Sequence, residues 1–247
     1  MKKTFLKISL ILILLPLLIG VPLWSLNDQG YFLLNKINFE NQEVASADAY
    51  ISTLMKSLDK KLEVFKGKSL FEVDLNEIVK IISSEKWIQS FEVQREWPNS
   101  LKVKIKNYEL VMLYWNEKNE AFPIFSNNEM LDKINRKEIP DLIHVFDKKY
   151  ASQKDLRKKT IEMIQKLPEQ GPLSQKQIAE VGYDNKTGFW LQLIKKDLLV
   201  KMGDEKIEIK SERVSNVIEY LESKQIDARV IDANLSQKVL VRLRKDP

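Results

Sequence analysis

The nineteen residues from Ile8 to Leu26 carry no charge, and most of them are Leu, Ile or Val. As a helix they would extend about 28 Å, the depth of one hydrocarbon core. Pro16, Gly20 and Pro22 would kink a soluble helix but are tolerated within a membrane span. Trp24 lies where an interfacial aromatic belongs. Lys2, Lys3 and Lys7 precede the run, and Asp28, the first acidic residue, follows it. The excess of positive charge on the N-terminal side predicts a short cytoplasmic tail (1–7), a transmembrane helix (8–26) and a C-terminal part on the far side of the membrane. A cleaved signal peptide shares the basic start and the apolar run. Against it, Pro22–Leu26 offers no small-x-small cleavage site, and Ala45-x-Ala47 lies too far downstream.

The charge balance argues against a nucleic-acid partner. The net charge is +5, and removing the three N-terminal lysines leaves +2 for residues 8–247. That is no footprint for a polyanion. The chain has no Cys, so disulfides and thiolate chemistry are excluded, and it suits either redox compartment.

Periodicity divides the remainder into two α+β domains. In the first, Leu33, Ile37 and Phe39 suggest an opening strand, and Ala47, Ile51, Leu54 and Leu58 share one helical face. Gly67 marks a break. Asp74 can cap a second helix, with Glu77 in capping-box position and a buried stripe of Leu75, Ile78, Val79 and Ile82. Phe91 and Val93 alternate with polar residues, Trp97-Pro98-Asn99-Ser100 reads as a turn, and Leu101, Val103 and Ile105 alternate with Lys102, Lys104 and Lys106. The order is βααββ over residues 31–106, with two helices covering one face of a three-stranded sheet.

The second domain, 107–247, reads as a mixed β-rich unit with two helices. Val111–Trp115 opens it. Ile161, Ile164 and Leu167 mark a helix ended by Pro168 and Gly171. Phe189, Leu191 and Leu193, a Lys195-Lys196-Asp197 turn and Leu198–Met202 form a hairpin closed by Gly203. Val214, Val217, Ile218 and Leu221 give a second helix. Val230 and Ile231 open another strand, and Val239, Leu240 and Val241 make a last one. A terminal strand can lie at a sheet edge and accept a partner strand, although periodicity alone favours an internal strand.

Catalytic signatures fail on inspection. Ser57-x-x-Lys60 or Ser83-x-x-Lys86, Ser126-x-Asn128 and Lys186-Thr187-Gly188 imitate a penicillin-binding set in the right order. That chemistry needs the Ser at the N-terminal end of its helix, and both serines lie toward C-terminal ends. Gly67-Lys-Ser69 resembles the end of a P-loop, but Leu62 stands where its first Gly belongs. His144 is the single histidine and has no metal-ligand spacing around it. Asn185-Lys-Thr187 is a glycosylation sequon, which by itself means little. Trp87 and Trp97 could be recognition aromatics, with core packing the plainer expectation for each. The lysine face of residues 102–106 could touch anionic lipid, with a solvated strand face the plainer expectation.

The order and spacing of several motifs resemble the FtsQ/DivIB family of bacterial cell-division proteins. Val93-Gln-Arg-Glu-Trp-Pro98 followed by Leu101-x-Val-x-Ile105 is similar to that family's V-x-R-x-W-P-x-x-L-x-V-x-V stretch. Leu70-Phe-Glu-Val-Asp74, Trp87-Ile88, Trp115, Ile139-Pro140-x-Leu142, Trp190-x-Leu-x-Leu through Val200-x-Met-Gly203, and Asp232 resemble further elements in order. The departures are Glu40-Asn41 for a Gly-Asn, Asn107-x-x-Leu110 for E-x-x-P, and Asn234 and Leu235 for an Arg and an aromatic.

The resemblance implies a POTRA (polypeptide-transport-associated) domain followed by an FtsQ-type β domain. It implies a non-catalytic divisome scaffold of the inner membrane, without cofactor. The implied partners are FtsB- and FtsL-like proteins, with FtsW and FtsI, the septal peptidoglycan synthases, beyond them. The implied partner-binding residues are Asn234, Leu235, Ser236, Gln237, Lys238, Val239, Leu240, Val241 and Arg242. A POTRA-bearing export or assembly factor is the alternative, although no series of amphipathic strands long enough for an outer-membrane barrel follows residue 110. A cell-wall enzyme is a third reading, for which no convincing acid, base or nucleophile is present.

Overall fold

A computed structural model describes residues 18, 20–22, 24–41, 48–194, 197–235 and 238–244. They fall into two compact units. One comprises Ile51–Asn107 with the residues up to Val44, and the other comprises Tyr108–Pro247 with Ala45–Tyr50. Most of the expected span, residues 8–17, 19 and 23, lies outside the described residues. Its other members are helical, and that helix continues to residue 28. Among the described residues no helix is long and apolar enough to cross a membrane.

The first unit contains β1 (Lys36–Asn41), α1 (Asp48–Leu62) from Ile51 onward, α2 (Leu75–Ser83), β2 (Ile88–Glu96) and β3 (Ser100–Asn107). The sheet order is β1-β3-β2, with β3 antiparallel to β2 and parallel to β1. Parallel pairing of β1 with β3 requires a long crossover, which the two helices supply. Leu101, Val103 and Ile105 on β3 are 0% exposed. They share the buried interior with Ile51, Leu58 and Leu62 of α1 and Ile78 and Ile82 of α2.

The lysines of β3 are half-buried rather than fully solvated, because β3 is the central strand. Lys102 Nζ meets Glu40 at 2.7 Å and Lys104 Nζ meets Glu92 at 3.4 Å. Asp74 caps α2, its Oδ1 accepting from the Asn76 N–H at 2.8 Å. The expected stripe on α2 is narrower than its sequence suggested. Val79 is exposed and Leu75 only half-buried, while Leu70 and Val73 in the preceding loop are buried. Trp87 is buried as expected, but Trp97 is not a core residue: it is 51% exposed.

The second unit is built on one eight-stranded sheet, in the order β11-β10-β9-β8-β7-β6-β4-β5. Its strands are β4 (Leu110–Trp115), β5 (Ala121–Phe125), β6 (Ile143–Val145), β7 (Ile178–Asp184), β8 (Gly188–Leu193), β9 (Leu199–Gly203), β10 (Ala228–Asp232) and β11 (Leu240–Leu243). The helices are α3 (Lys149–Ser152), α4 (Lys154–Gln165) and α5 (Ile207–Ser223). The two helices expected from periodicity are α4 and α5, and α3 is an additional single turn.

The residues of the second unit form a contiguous core. Ile161 and Ile164 of α4 and Val214, Ile218 and Leu221 of α5 join Leu191, Val200 and Ile231 of the sheet in one cluster. The strand opened by Val111 and the hairpin of β8 and β9 lie where the alternation placed them. The middle of the expected 195–197 turn, Lys195 and Lys196, lies outside the described residues.

Candidate functional site

A sheet of eight strands that does not close into a barrel has two edges, and here they differ. Beyond β5, the segment 129–134 lies along the strand. Phe125 donates to the Glu129 carbonyl at 3.0 Å, Leu131 to Pro123 at 3.0 Å and Ile134 to Ala121 at 2.8 Å. Ile124 and Met130 also form a bridge. This edge is therefore capped by the chain itself, and Pro123 within it would weaken any further ladder. Beyond β11, no strand follows among the described residues.

β11 runs antiparallel to β10, pairing Leu240 with Asp232, Val241 with Ile231, Arg242 with Val230 and Leu243 with Ala228. The Arg244 N–H donates to the Asp227 carbonyl at 3.0 Å. In an antiparallel ladder the N–H groups of successive residues alternate in direction. The irregularity between Ala228 and Val230 is an extra residue on β10, so the alternation along β11 is unbroken. Counting back from Arg244, the N–H groups of Arg242 and Leu240 face β10, and those of Leu243 and Val241 face outward.

Val239 and Val241 pack against the core, whereas Leu240, on the opposite face, and Leu243, at the end of the strand, are more than half exposed, at 53% and 56%. Lys238, Arg242 and Arg244 are exposed and give this edge a basic character. Arg244 is within 3.4 Å of Asp197.

The residues singled out in the sequence divide into three groups. Lys238 to Arg242 lie on or next to the edge strand. Ser236 and Gln237 lie outside the described residues. Asn234 and Leu235 follow β10. Both are exposed, and the Asn234 side chain is tied back to the β7–β8 turn. The Asn234 side-chain amide donates to the Thr187 carbonyl at 3.1 Å, and its N–H donates to Asp232 Oδ1 at 3.0 Å. Gly203, at a φ of +72°, makes room for it. A Cβ there would lie 2.1 Å from Asn234 Oδ1. Asn234 thus anchors the end of β10 to the β7–β8 turn and sets where the chain departs toward β11. The one edge residue that sequence reasoning left out of the site is Leu243, the last member of β11.

The motif Lys186-Thr187-Gly188 is the β7–β8 turn. The Asp184 carboxylate accepts from the Lys186 and Thr187 N–H groups, each at 2.9 Å, and from the Thr187 hydroxyl at 3.1 Å. These bonds hold the Asp184 pKa below the usual carboxylate range. The motif is accounted for by turn geometry. His144 sits on β6 with the Trp115 ring at 5.5 Å and the Phe146 ring at 6.2 Å, and burial lowers its pKa.

Comparison with known proteins matches each unit to a family model. Residues 34–108 match the POTRA domain, FtsQ-type, and residues 113–234 match the C-terminal domain of cell division protein FtsQ/DivIB. Together the two matches cover most of the chain. Similar proteins include cell division protein FtsQ of Geobacter sp. (strain M21), 22% identical over 71% of this chain and 66% of that protein. Cell division protein FtsQ of Geotalea daltonii (strain DSM 22248 / JCM 15807 / FRC-32) is 22% identical over 72% of this chain and 67% of that protein. The match thus spans just under two thirds of the first relative's length. The two domain matches, in the order POTRA then C-terminal domain, show that the chain belongs to the FtsQ/DivIB family of cell-division proteins.

Proposed function

We propose that this protein is a non-catalytic scaffold of the divisome, held in the inner membrane by residues 8–26 with its two domains in the periplasm. It binds FtsB- and FtsL-like partners and so couples them to FtsW and FtsI at the septum. The observation that carries the reading is the open, basic edge of β11 in a sheet whose other edge is capped by residues 129–134. A partner strand pairs with the outward N–H and C=O groups of Val241 and Leu243. Main-chain bonds supply affinity, and the exposed Leu240 and Leu243 side chains supply selectivity. Lys238, Arg242 and Arg244 favour acidic side chains on the partner.

The test is capture of an FtsB-like partner from the same organism by the detergent-extracted full chain and by a form ending at Leu235. The truncated form should remain in the membrane and lose the partner. Undiminished capture would place the binding surface elsewhere.

A further inference from the structure

The first unit carries an exposed aromatic cluster that the edge-binding function does not use. Phe32 is its centre, 8% exposed, with the Tyr31 ring at 5.3 Å, the Phe71 ring at 5.1 Å and the Trp97 ring at 6.0 Å. Phe71 and Trp97 also touch each other, at 4.8 Å. Tyr31, Phe71 and Trp97 are each just over half exposed, at 54%, 55% and 51%. Three large aromatics joined through Phe32, each presenting half its surface to solvent, form a patch rather than scattered exposure.

The position of the patch is fixed by the end of the N-terminal helix. The Tyr31 N–H donates to the Leu26 carbonyl and the Gly30 N–H to the Asn27 carbonyl, both at 3.0 Å. With Gly30 at a φ of +79°, this is a Schellman termination. Leu26 is the last residue of the uncharged run, so the patch begins one helical turn beyond it.

Further bonds make the junction stiff. Ser69 Oγ donates to Asn27 Oδ1 at 2.7 Å, Leu70 N–H to the Phe32 carbonyl at 2.7 Å and Leu34 N–H to the Lys68 carbonyl at 2.9 Å. Asn35 N–H donates to the Asn99 carbonyl at 2.9 Å, which brings in the Trp97 turn. Arg95 holds the Phe71 loop from the other side, donating to the Leu70 and Val73 carbonyls at 3.0 and 2.9 Å.

We infer that Tyr31, Phe71 and Trp97 form a membrane-interface anchor that seats the first domain on the periplasmic lipid headgroups. The inference rests on the anchoring reading above. If Leu26 ends the span, one helical turn of about 5.4 Å puts Tyr31 within the headgroup layer, about 5–7 Å deep on each side. The bonded junction then carries Phe71 and Trp97 to the same level. The Tyr31 and Trp97 rings, each with an apolar body and a polar tip, favour that layer, and Phe71 adds apolar area beside them. Lys68, exposed on the loop beside the cluster, suits anionic headgroups. The first domain is thus held at a fixed tilt, not on a free tether.

The absence of Cys from the chain makes the test direct. The full chain is reconstituted in vesicles of phosphatidylethanolamine and phosphatidylglycerol. A fluorophore is attached at Glu72→Cys, beside the patch, or at Ser83→Cys, at the far end of α2. Quenching by a nitroxide on the lipid headgroup is then read. Quenching at position 72 should exceed that at 83 several-fold. It should fall toward the level at 83 when Phe71→Ser and Trp97→Ser are combined, and stay unchanged with Val79→Ser, another exposed apolar position. Equal quenching at 72 and 83 in vesicles that carry the chain through flotation would overturn the inference and leave the patch to a protein partner. So would strong quenching at 72 that the double serine variant leaves unchanged. Failure of the chain to float with the vesicles would instead overturn the anchoring reading beneath it.

Discussion

The Arg244 N–H donates to the Asp227 carbonyl at 3.0 Å, and this one bond sets the direction of every amide along β11. Leu240 and Arg242 hold the strand to β10, while Val241 and Leu243 offer their amides to a partner. Proline, which has no N–H, separates the two roles. Leu243→Pro should leave the unfolding midpoint of the second domain nearly unchanged and abolish partner capture. Leu240→Pro and Arg242→Pro should release β11 and raise amide exchange at Val230 and Ile231. The reverse pattern in exchange data would show that the strand faces the other way.

In the first domain, Val103 is fully buried and Lys104 is half-buried beside Glu92. Val103→Asp buries an unpaired carboxylate and should cost on the order of 3–5 kcal/mol by urea unfolding. Lys104→Asp loses a surface pair and should cost about 1 kcal/mol or less. Similar losses in both would contradict the register of β3 against β1 and β2.

Gly182 on β7 pairs with Trp190 on β8, and the indole lies across it. A Cβ at position 182 would come within 2.1 Å of the Trp190 ring. Gly182→Ala should therefore destabilise the second domain by about 1–3 kcal/mol, the usual range for overpacking. The loss should shrink when Trp190→Ala is added, as a double-mutant cycle would detect. Additive losses would mean that the two positions do not meet.

Burial of Tyr150 pushes its pKa up from 10.0 to about 12, against a smaller opposing effect of its hydrogen bond with Thr160. A pKa raised by folding means that the folded state favours the neutral phenol. The associated stability is fully present below pH 10 and is lost as pH rises through about 12. Two pH units correspond to about 3 kcal/mol. Unfolding midpoints of the second domain should fall in that alkaline window, and Tyr150→Phe should flatten the fall. An equally steep fall in Tyr150→Phe would assign it to other groups.

Much of this architecture is visible in the sequence because each element carries its own period. The alternation of Leu101, Val103 and Ile105 with lysines, and the helical spacing of Val214, Val217, Ile218 and Leu221, both mark elements that the structure contains. β5, β6 and β7 escaped that reading for separate reasons. β6 has three residues, too few to show a period. β5 holds Pro123, which reads as a breaker and is tolerated only because the strand is at an edge. β7 holds Gly182, whose missing side chain is replaced by the indole of Trp190 from the next strand. The exposure of Trp97 was hidden because its neighbours in space, Phe32 and Phe71, are remote in sequence. The openness of the β11 edge was likewise hidden, since it depends on where the other strands lie.

The most direct measurement of the central claim is residue-resolved amide exchange along β11 with and without the periplasmic segment of an FtsB-like partner. The amides of Val241 and Leu243 should exchange quickly in the free protein and become protected in the complex, while those of Leu240 and Arg242 are protected in both. Formation of the complex with Val241 and Leu243 still exchanging at their free rates would contradict strand addition at this edge.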